Sequence, residues 1–468
     1  MLVDTINEEL CADLLKKTLS NGGEYADVFF EFKKPMSIIL EDNKIEKILS
    51  GSDCGVGIRL IYNGKTSYAY TNELSKETLE ETALSVSKAA KYKIGQETTV
   101  NLMKLRPETE FHILKRPEDV PMEIKLQRLL SANIVARNIS NKIRQVRVQY
   151  ADTTQHVYIA NSTGAYCEDR RVYMLLLVHV IAEDSGVIQT GFETIGGFTG
   201  FELIENTDTD AIATEAAKRA VRMLKAQKIN GGTMPVVISS AAGGTMIHEA
   251  IGHGLEADLA QQGVSVYANK LGQQIASSNI TVIDNGTLAG KRGSYTFDDE
   301  ATPSKENILV EKGVLIKYMN DRLTSLKDGA PLTGNGRRQS YQNRPIPRMT
   351  NTYLASGNDI PADILKSTDS GLFVKKMGGG QVNTLTGDFV FEVQEGFLIE
   401  KGAISVPVRG ATLTGNGPQV LQSIDAIGLD LGFAIGTCGK DGQGVPVTDA
   451  LPTIRIPAIV VGGVVGGN

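Results

Sequence analysis

The residues best suited to chemistry are two histidines and a glutamate in the segment Ser240 to Gly254. His248 and His253 are five positions apart, and Glu249 directly follows the first histidine. In a common metallopeptidase motif, two histidines about four positions apart on a helix bind one zinc ion, and the glutamate between them faces the zinc-bound water. The pattern therefore predicts a zinc site whose two histidines are separated by one residue more than in this motif. Glu249 is its predicted general base.

The extra residue requires a deformed helix. At ~100° per residue, positions five apart lie about 140° apart on a regular α-helix, which is too far round to share one ion. A single π turn absorbs one residue and brings both side chains back to one face, and such turns are frequent at functional sites. Gly252 lowers the strain of forming it. We therefore expect a π turn between His248 and His253.

A catalytic zinc ion usually has three protein ligands, and spacing alone does not identify the third. Glu256 and Asp258 follow the motif closely, and Cys438 lies in the glycine-flanked segment 436–440, predicted to be a flexible turn. Metal and the nearby Lys440 would both favour a thiolate at Cys438. A small buried cysteine in a turn explains this residue equally well.

The other histidines and cysteines fit packing or ordinary polar positions better than metal binding. They are widely scattered, with no CxxC pair, so neither a disulfide framework nor a zinc knuckle is predicted. These residues are His112, His156, His179, Cys11, Cys54 and Cys167.

Such a site would hydrolyse peptides or other amides, because zinc acidifies a bound water whose proton Glu249 accepts. The many predicted strand edges of the C-terminal half suggest that a peptide binds in an extended conformation by strand addition. The glycine clusters, including Gly378 to Gly380, lack the order of a phosphate-binding loop and are predicted to be turns.

Composition excludes several other classes. The 468-residue chain has 41% hydrophobic and 22% charged residues, as in globular proteins. Its formal charge of −6 does not indicate binding to nucleic acid or to an anionic membrane. The N-terminus is acidic where a signal peptide is basic, and no apolar run approaches the ~20 residues of a membrane helix. We expect a cytoplasmic protein.

Periodicity predicts the elements that position the site. In the N-terminal half, helices are expected at 7–19, 75–91, 121–140 and 209–227. Strands are expected at 26–32, 37–40, 55–62, 65–70, 146–150, 156–160, 171–182 and 187–193. The site itself follows a short apolar strand at 235–239.

In the C-terminal half, hairpin or turn signals recur at Asn285-Gly286, Lys312-Gly313, Glu395-Gly396 and Lys401-Gly402. We predict an α+β protein with two domains. An N-terminal domain at 1–230 combines helices with antiparallel strands. A C-terminal domain at 231–468 is dominated by a large antiparallel sheet that carries a short zinc-binding helix.

Several long motifs resemble those of the TldD/PmbA (TldD/TldE) family of bacterial and archaeal metallopeptidases, and within it the TldD type of subunit. The motifs occur in the family's order and cover the C-terminal half: Gly243 to Asp258, Phe297 to Pro303, Asn343 to Tyr353, and Gly378 to Asn383 with Gly415-Asn416.

The resemblance implies that His248 and His253 bind the metal, that Glu249 is the catalytic acid and base, and that Cys438 is the third ligand. It also implies a dimer that encloses the active site and acts on unfolded peptides. The partner is typically a homologous PmbA/TldE-type subunit without the zinc motif, and self-pairing is the other option. The alternatives to a zinc peptidase are a non-catalytic peptide-binding subunit and a hydrolase of non-peptide amides.

Overall fold

The computed structural model describes residues 6–90 and 99–463 of the chain. Helices and strands are mixed along the chain, and most strand pairs are antiparallel, so the predicted α+β class is confirmed. The last residue of the predicted helix at 75–91 lies outside the described residues. No described helix combines the length and the apolar character that a membrane crossing needs.

The N-terminal half contains one eight-stranded sheet and five α-helices among its described residues. The strands are β1 (Tyr25–Glu41), β2 (Lys44–Ser50), β3 (Asp53–Tyr62), β4 (Lys65–Thr71), β5 (Met103–Lys104), β6 (Ile143–Asn161), β7 (Ala165–Asp184) and β8 (Val187–Phe198). The helices are α1 (Glu8–Thr18), α2 (Lys76–Ser87), α3 (Met122–Asn138), α4 (Glu202–Asn206) and α5 (Thr209–Leu224).

Strand alternation gives this sheet two different faces. Side chains alternate between the faces of a strand, and the even-numbered apolar residues of β1, such as Val28 and Ile38, pack in clusters with α1, α2, α3 and α5. The odd-numbered Phe29 instead packs against Phe297 of the C-terminal half. The helices thus cover one face, and the C-terminal half covers part of the other.

Two pairs of predicted strands are longer single strands. The segments 26–32 and 37–40 are both part of β1, and the segments 146–150 and 156–160 are both part of β6. Pro35, between the first two, lies after the last β1 pair with β3, at Lys33, and before the first pair with β2, at Met36. At such a junction the missing N–H of proline interrupts neither of these two ladders.

The C-terminal half contains two main sheets and five short α-helices among its described residues. The helices are α6 (Thr245–Ile247), α7 (Ala257–Gln261), α8 (Arg322–Asp328), α9 (Pro361–Lys366) and α10 (Gly417–Ser423). The strands are β9 (Gln227–Lys228), β10 (Gly232–Ile238), β11 (Val282–Asn285), β12 (Glu306–Glu311), β13 (Val314–Leu315), β14 (Gly336–Arg337), β15 (Ile346–Pro347), β16 (Asn351–Leu354), β17 (Ser370–Val382), β18 (Asp388–Glu400), β19 (Ala403–Arg409), β20 (Thr412–Asn416), β21 (Ala426–Ile427), β22 (Gly432–Lys440), β23 (Gln443–Leu451) and β24 (Ile454–Gly462).

One sheet has the order β17-β10-β24-β20-β18-β19-β9, with β21 beside β24, and β17 also pairs with β18. Five of its strands therefore form a closed ring around a large apolar core. The second sheet has the order β13-β12-β11-β16-β23-β22. The prediction of one large antiparallel sheet is wrong, because this half has two main sheets. The sheets are also not purely antiparallel, since β10 pairs with β17 and β16 with β23 in parallel.

Three predicted turns are also wrong. Gly378 to Gly380 lie within β17, Glu395-Gly396 lies within β18, and Cys438 lies within β22 opposite Val445. Register shifts between Val374 and Gly380 accommodate the glycines in the strand. The turns predicted at Lys312-Gly313 and Lys401-Gly402 are confirmed, since each pair has positive φ and joins two consecutive strands.

The motif Phe297 to Pro303 joins the two halves of the chain through buried charges. The Arg59 guanidinium on β3 contacts Glu300 at 2.6 Å. The Arg171 guanidinium on β7 donates to Asp299 at 2.7 Å and to the Phe297 carbonyl at 2.8 Å. These four charged side chains are each at most 5% exposed. Each arginine also pairs with an acid of its own half, Arg59 with Asp27 and Arg171 with Asp169, so these buried charges form small networks across the two halves.

Candidate metal centre

The segment after β10 carries the predicted histidines on a short deformed helix. The helix begins with α6, continues as a π turn over His248–Gly252 and ends as a 3-10 turn over His253–Leu255. The His253 N–H donates to the His248 carbonyl five positions earlier, which defines the π turn. The predicted π turn is therefore confirmed.

The π turn places both imidazoles on one face. The ring centroids of His248 and His253 are 4.9 Å apart, and the rings are perpendicular. Gly252 has an ordinary helical φ of −54°, so its conformational freedom is not what the turn requires. A Cβ at this position would lie 2.2 Å from the Met349 sulfur, so the glycine provides space for Met349.

Cys438 reaches the histidines from strand β22. Its Sγ lies 3.4 Å from His253 Nε2, and one donor atom from each of Cys438, His248 and His253 lies within 4.8 Å of the others. The cysteine is 3% exposed. The strand holds its backbone, and the buried Arg348 guanidinium donates to its carbonyl group at 2.5 Å.

Glu256 and Asp258, the other candidates for a third ligand, have different partners. Glu256 accepts a hydrogen bond from His253 Nδ1 at 3.0 Å and contacts Lys440 Nζ at 3.1 Å. Asp258 accepts from the same Lys440 ammonium at 2.7 Å. The Nδ1–H of His253 faces a carboxylate, and its Nε2 faces Cys438. Many metal-binding histidines are oriented in this way, by a carboxylate at the ring nitrogen that does not bind the metal.

The titratable groups of the cluster have pKa values shifted in different directions. Burial would raise the pKa of the Cys438 thiol, but His248 and His253 lower it to about 5. Burial would also raise the pKa of Glu256, but Lys440 and His253 hold it at about 2. For Glu249 burial prevails and raises the pKa of the carboxyl group, against His248 and His253. The two histidines thus favour the thiolate form of Cys438, the form that binds metals.

The donor set fits a metal ion. Two imidazoles and a thiolate are ligands suited to zinc and other borderline ions. His248 Nδ1 is buried without a hydrogen-bond partner in the described part of the chain, and it lies 4.0 Å from Asp449. Burial raises the pKa of Asp449 to about 6. Neither Asp449 nor Arg348 was identified from the sequence, because no spacing rule connects them to the histidines.

The cluster forms part of the wall of an open cleft of about 420 Å³. Glu249 lies in the same wall, beside the histidines. The cleft is also lined by β17, at Gly380 to Val382, and by β22, at Thr437 to Lys440. A molecule in this cleft would therefore contact the His-His-Cys cluster, Glu249 and two strands together.

The remaining predicted packing residues lie elsewhere. Cys11 and Cys167 are fully buried in apolar clusters of the N-terminal half, and Cys54 is half-buried. Burial raises the pKa of the Cys11 thiol to about 12, so it stays protonated. His156 and His179 lie on β6 and β7, and His112 lines a separate cavity of that half.

Known proteins match the whole chain. Three consecutive regions fit models of the PmbA/TldA metallopeptidase: domain 1 at residues 26–90, the central domain at 115–224 and the C-terminal domain at 231–463. A "Metalloprotease TldD homolog" of Haemophilus influenzae is 36% identical, over 94% of this chain and 93% of the relative. Another from Buchnera aphidicola is 35% identical, over 98% and 95%. The chain belongs to the PmbA/TldD metallopeptidase family.

Solved structures agree with this membership at the level of fold. A structure from Thermotoga maritima has a TM-score of 0.80 at 22% identity, covering 97% of this chain and 100% of that chain. TldE from Thermococcus kodakarensis has a TM-score of 0.76 at 18% identity, covering 97% and 100%. Because the sequence relatives are named metalloproteases, PmbA/TldD membership makes this chain a metallopeptidase that uses a metal cofactor.

Proposed function

We propose that the chain is a zinc-dependent peptidase that hydrolyses extended, unfolded peptides. His248, His253 and Cys438 are the zinc ligands, and Glu249 is the general base. The observation that carries the proposal is the convergence of three donor atoms within 4.8 Å of one another, in the wall of a cleft that also contains Glu249.

The side chains have distinct tasks in hydrolysis. A bound zinc ion supplies Lewis acidity, which polarises the peptide carbonyl group and acidifies a water molecule. Glu249 accepts a proton from that water at a carboxylate oxygen and donates it to the nitrogen of the leaving amine. Glu256 fixes the ring orientation and the tautomer of His253 through its hydrogen bond to Nδ1.

Free strand edges beside the metal centre support an extended substrate. β17 pairs with β10 only at residues 372–374, and from 375 to 382 that edge has no strand neighbour in the described part of the chain. β22 pairs with β23 on one side, and its other edge likewise has no strand neighbour among the described residues. Main-chain hydrogen bonds to either edge would bind a peptide with little sequence selectivity.

Two glycines on these strands indicate where a peptide backbone approaches. A Cβ at Gly379 or at Gly439 would meet no atom of the chain within 4 Å, and neither residue has positive φ. Neither packing nor backbone conformation therefore requires glycine at these positions. Strand glycines often mark the close approach of another backbone, which here is that of the substrate.

We also propose a dimer, formed with a homologous PmbA/TldE-type subunit or with a second copy. Its support is the family resemblance and an exposed apolar surface on β2, where Ile45, Ile48 and Leu49 are 37%, 46% and 51% exposed. Light scattering on the chain alone, and on the chain mixed with its PmbA/TldE-type homologue, distinguishes the two pairings. A monomer in both samples would exclude the dimer.

The decisive experiment combines metal content with hydrolysis. Wild type and the His248→Ala variant are analysed by mass spectrometry for metal, and each is incubated with an unstructured peptide with and without chelator. About one zinc per chain is expected in wild type, with zinc and hydrolysis both lost in the variant. A metal-free chain that still binds peptide would be a non-catalytic subunit, and hydrolysis confined to non-peptide amides would change the substrate class.

A further inference from the structure

A second cavity is bordered by the same two strands that border the metal centre. It has a volume of about 590 Å³ and is lined by Lys375 and Lys376 of β17 and by Phe433 to Ile435 of β22. The metal-side cavity is lined by later residues of each strand, Gly380 to Val382 and Thr437 to Lys440. Both strands thus run from the second cavity to the metal centre.

The strands also set the distance between the two ends. Lys376 precedes Gly380 by four residues, and Phe433 and Ile435 precede Cys438 by five and three. At ~3.3 Å per residue, these separations correspond to about 10 to 17 Å. An extended peptide whose scissile bond lies beside Cys438 therefore reaches the second cavity three to five residues away.

The second cavity carries an excess of positive charge. Four basic residues line it, Lys291, Lys375, Lys376 and Arg219, against two acidic ones, Glu193 and Glu215. Just outside this lining, Arg222 and the buried Glu395 contribute opposite charges that cancel. An excess of two positive charges in a recessed cavity favours an anionic group of the ligand.

Lys291 is the cation without an acidic partner. Lys375 contacts Glu215 at 3.2 Å and Lys376 contacts Glu193 at 3.1 Å. The Lys291 ammonium instead lies over the Phe433 ring, 3.6 Å from its centroid, and makes no hydrogen bond or ion pair with any described residue. An ammonium has three donors, so Lys291 has donors available for a carboxylate.

Strand direction determines which side of the substrate reaches Lys291. Antiparallel pairing is slightly more stable per residue than parallel pairing. A peptide antiparallel to β17 runs from the metal centre towards Lys375. The residues in the second cavity are then those on the C-terminal side of the scissile bond.

We propose that the cavity around Lys291 is a subsite for a carboxylate three to five residues C-terminal to the scissile bond. The carboxylate comes from an aspartate or glutamate side chain or from the C-terminus of the peptide. This inference rests on the proposed peptidase function, because it uses the scissile bond as its reference point. With this subsite, the cleft binds more than the main chain of the peptide. It prefers peptides whose segment after the scissile bond is acidic or short.

The test uses unstructured peptides that carry one glutamate or one glutamine at the same position, each with an amidated or a free C-terminus. Mass spectrometry of the products locates the cleaved bond. Cleavage is expected three to five residues before the glutamate, with kcat/KM about tenfold above the glutamine peptide, as for one charge-assisted hydrogen bond. Amidation separates the two sources, because a terminal carboxylate loses its effect when amidated and a glutamate does not.

Lys291→Gln is expected to bring the glutamate-to-glutamine ratio of kcat/KM to about one. Lys291→Glu is expected to favour a peptide with lysine at that position, which a merely structural role of Lys291 would not produce. Lys366→Gln is the matched control, since the Lys366 side chain is 74% exposed on α9 and lines neither cavity, and it should keep the wild-type ratio. A ratio unchanged in Lys291→Gln, or cleavage positions independent of the acid, would overturn the subsite.

Peptide binding to the Glu249→Gln variant, measured by fluorescence anisotropy, separates this inference from the proposed function. In one outcome, wild type hydrolyses no peptide, but the glutamate peptide binds about tenfold tighter than the glutamine peptide and Lys291→Gln removes that difference. The carboxylate subsite is then supported and the peptidase function is contradicted. If peptides are hydrolysed with equal affinity for both sequences, the peptidase holds and the subsite fails.

Discussion

Glu256→Gln tests whether the carboxylate behind His253 controls the metal centre. The Glu256 carboxylate is fully buried, faces His253 Nδ1 at 3.0 Å and contacts the Lys440 ammonium at 3.1 Å. Glutamine has nearly the same shape, and its carbonyl oxygen still accepts a hydrogen bond from Nδ1. The substitution therefore removes the negative charge while it keeps the hydrogen bond.

The expected loss follows from this contact. Replacing a residue that holds a histidine ligand costs about 10- to 100-fold in metal affinity, which is about 1.4 to 2.7 kcal/mol. A full loss of fold is not expected, since Lys440 keeps its contact with Asp258 at 2.7 Å. Zinc affinity should therefore fall by about that factor while the metal-free variant still melts cooperatively.

Competition with a chromophoric chelator at neutral pH measures the zinc affinity, and thermal melting of the metal-free proteins measures their folding. Asp258→Asn is the matched control, because Asp258 shares Lys440 but contacts neither histidine in the described hydrogen bonds. It should bind zinc like wild type. Equal zinc affinity in wild type and Glu256→Gln, with both folded, would refute the role given to Glu256.

Three further substitutions separate binding, chemistry and substrate contact. Glu249→Gln should keep zinc, measured by mass spectrometry, and lower kcat by about 10²- to 10⁴-fold; retained turnover would exclude it as general base. Cys438→Ala should lose zinc on dialysis, because a thiolate ligand is removed, and an unchanged metal content would return the third position to Glu256 or Asp258. Gly439→Val should raise KM for peptides by about tenfold, which corresponds to about 1.4 kcal/mol of lost binding free energy. The melting temperature should stay unchanged, because no atom of the chain lies within 4 Å of a new Cβ. An unchanged KM would mean that the peptide binds elsewhere.

Local signals predicted the local parts of the site. The five-position spacing of His248 and His253 fixed the need for a π turn, because helix geometry depends only on positions along one segment. The strands predicted at 55–62 and 65–70 are observed as β3 and β4 for the same reason, and Asn63 and Gly64, which join them, both have positive φ. Such features require no knowledge of partners distant in sequence.

Pairing between distant segments limited the rest. Gly378 to Gly380 lie in a strand because β18 pairs on both sides of the register shift there, at Met377 and at Gly380, and Cys438 lies in a strand because Val445 is opposite. Glycine content predicts turns when those partners are unknown. The choice among Glu256, Asp258 and Cys438 stayed open in the sequence for the same reason, since Lys440, which contacts both acids, belongs to a strand far along the chain.

The buried contacts between Arg59 and Glu300 and between Arg171 and Asp299 have a consequence for inheritance and engineering. A chimera that joins the first half of this chain to the second half of a relative must keep both members of each pair. Otherwise a carboxylate at position 299 or 300 stays buried without the guanidinium that faces it from the first half, at a cost of up to about 3 to 5 kcal/mol. The two arginines themselves keep Asp27 and Asp169 of the first half as partners. The C-terminal half therefore cannot be exchanged on its own, and recombination within the family should preserve these positions jointly.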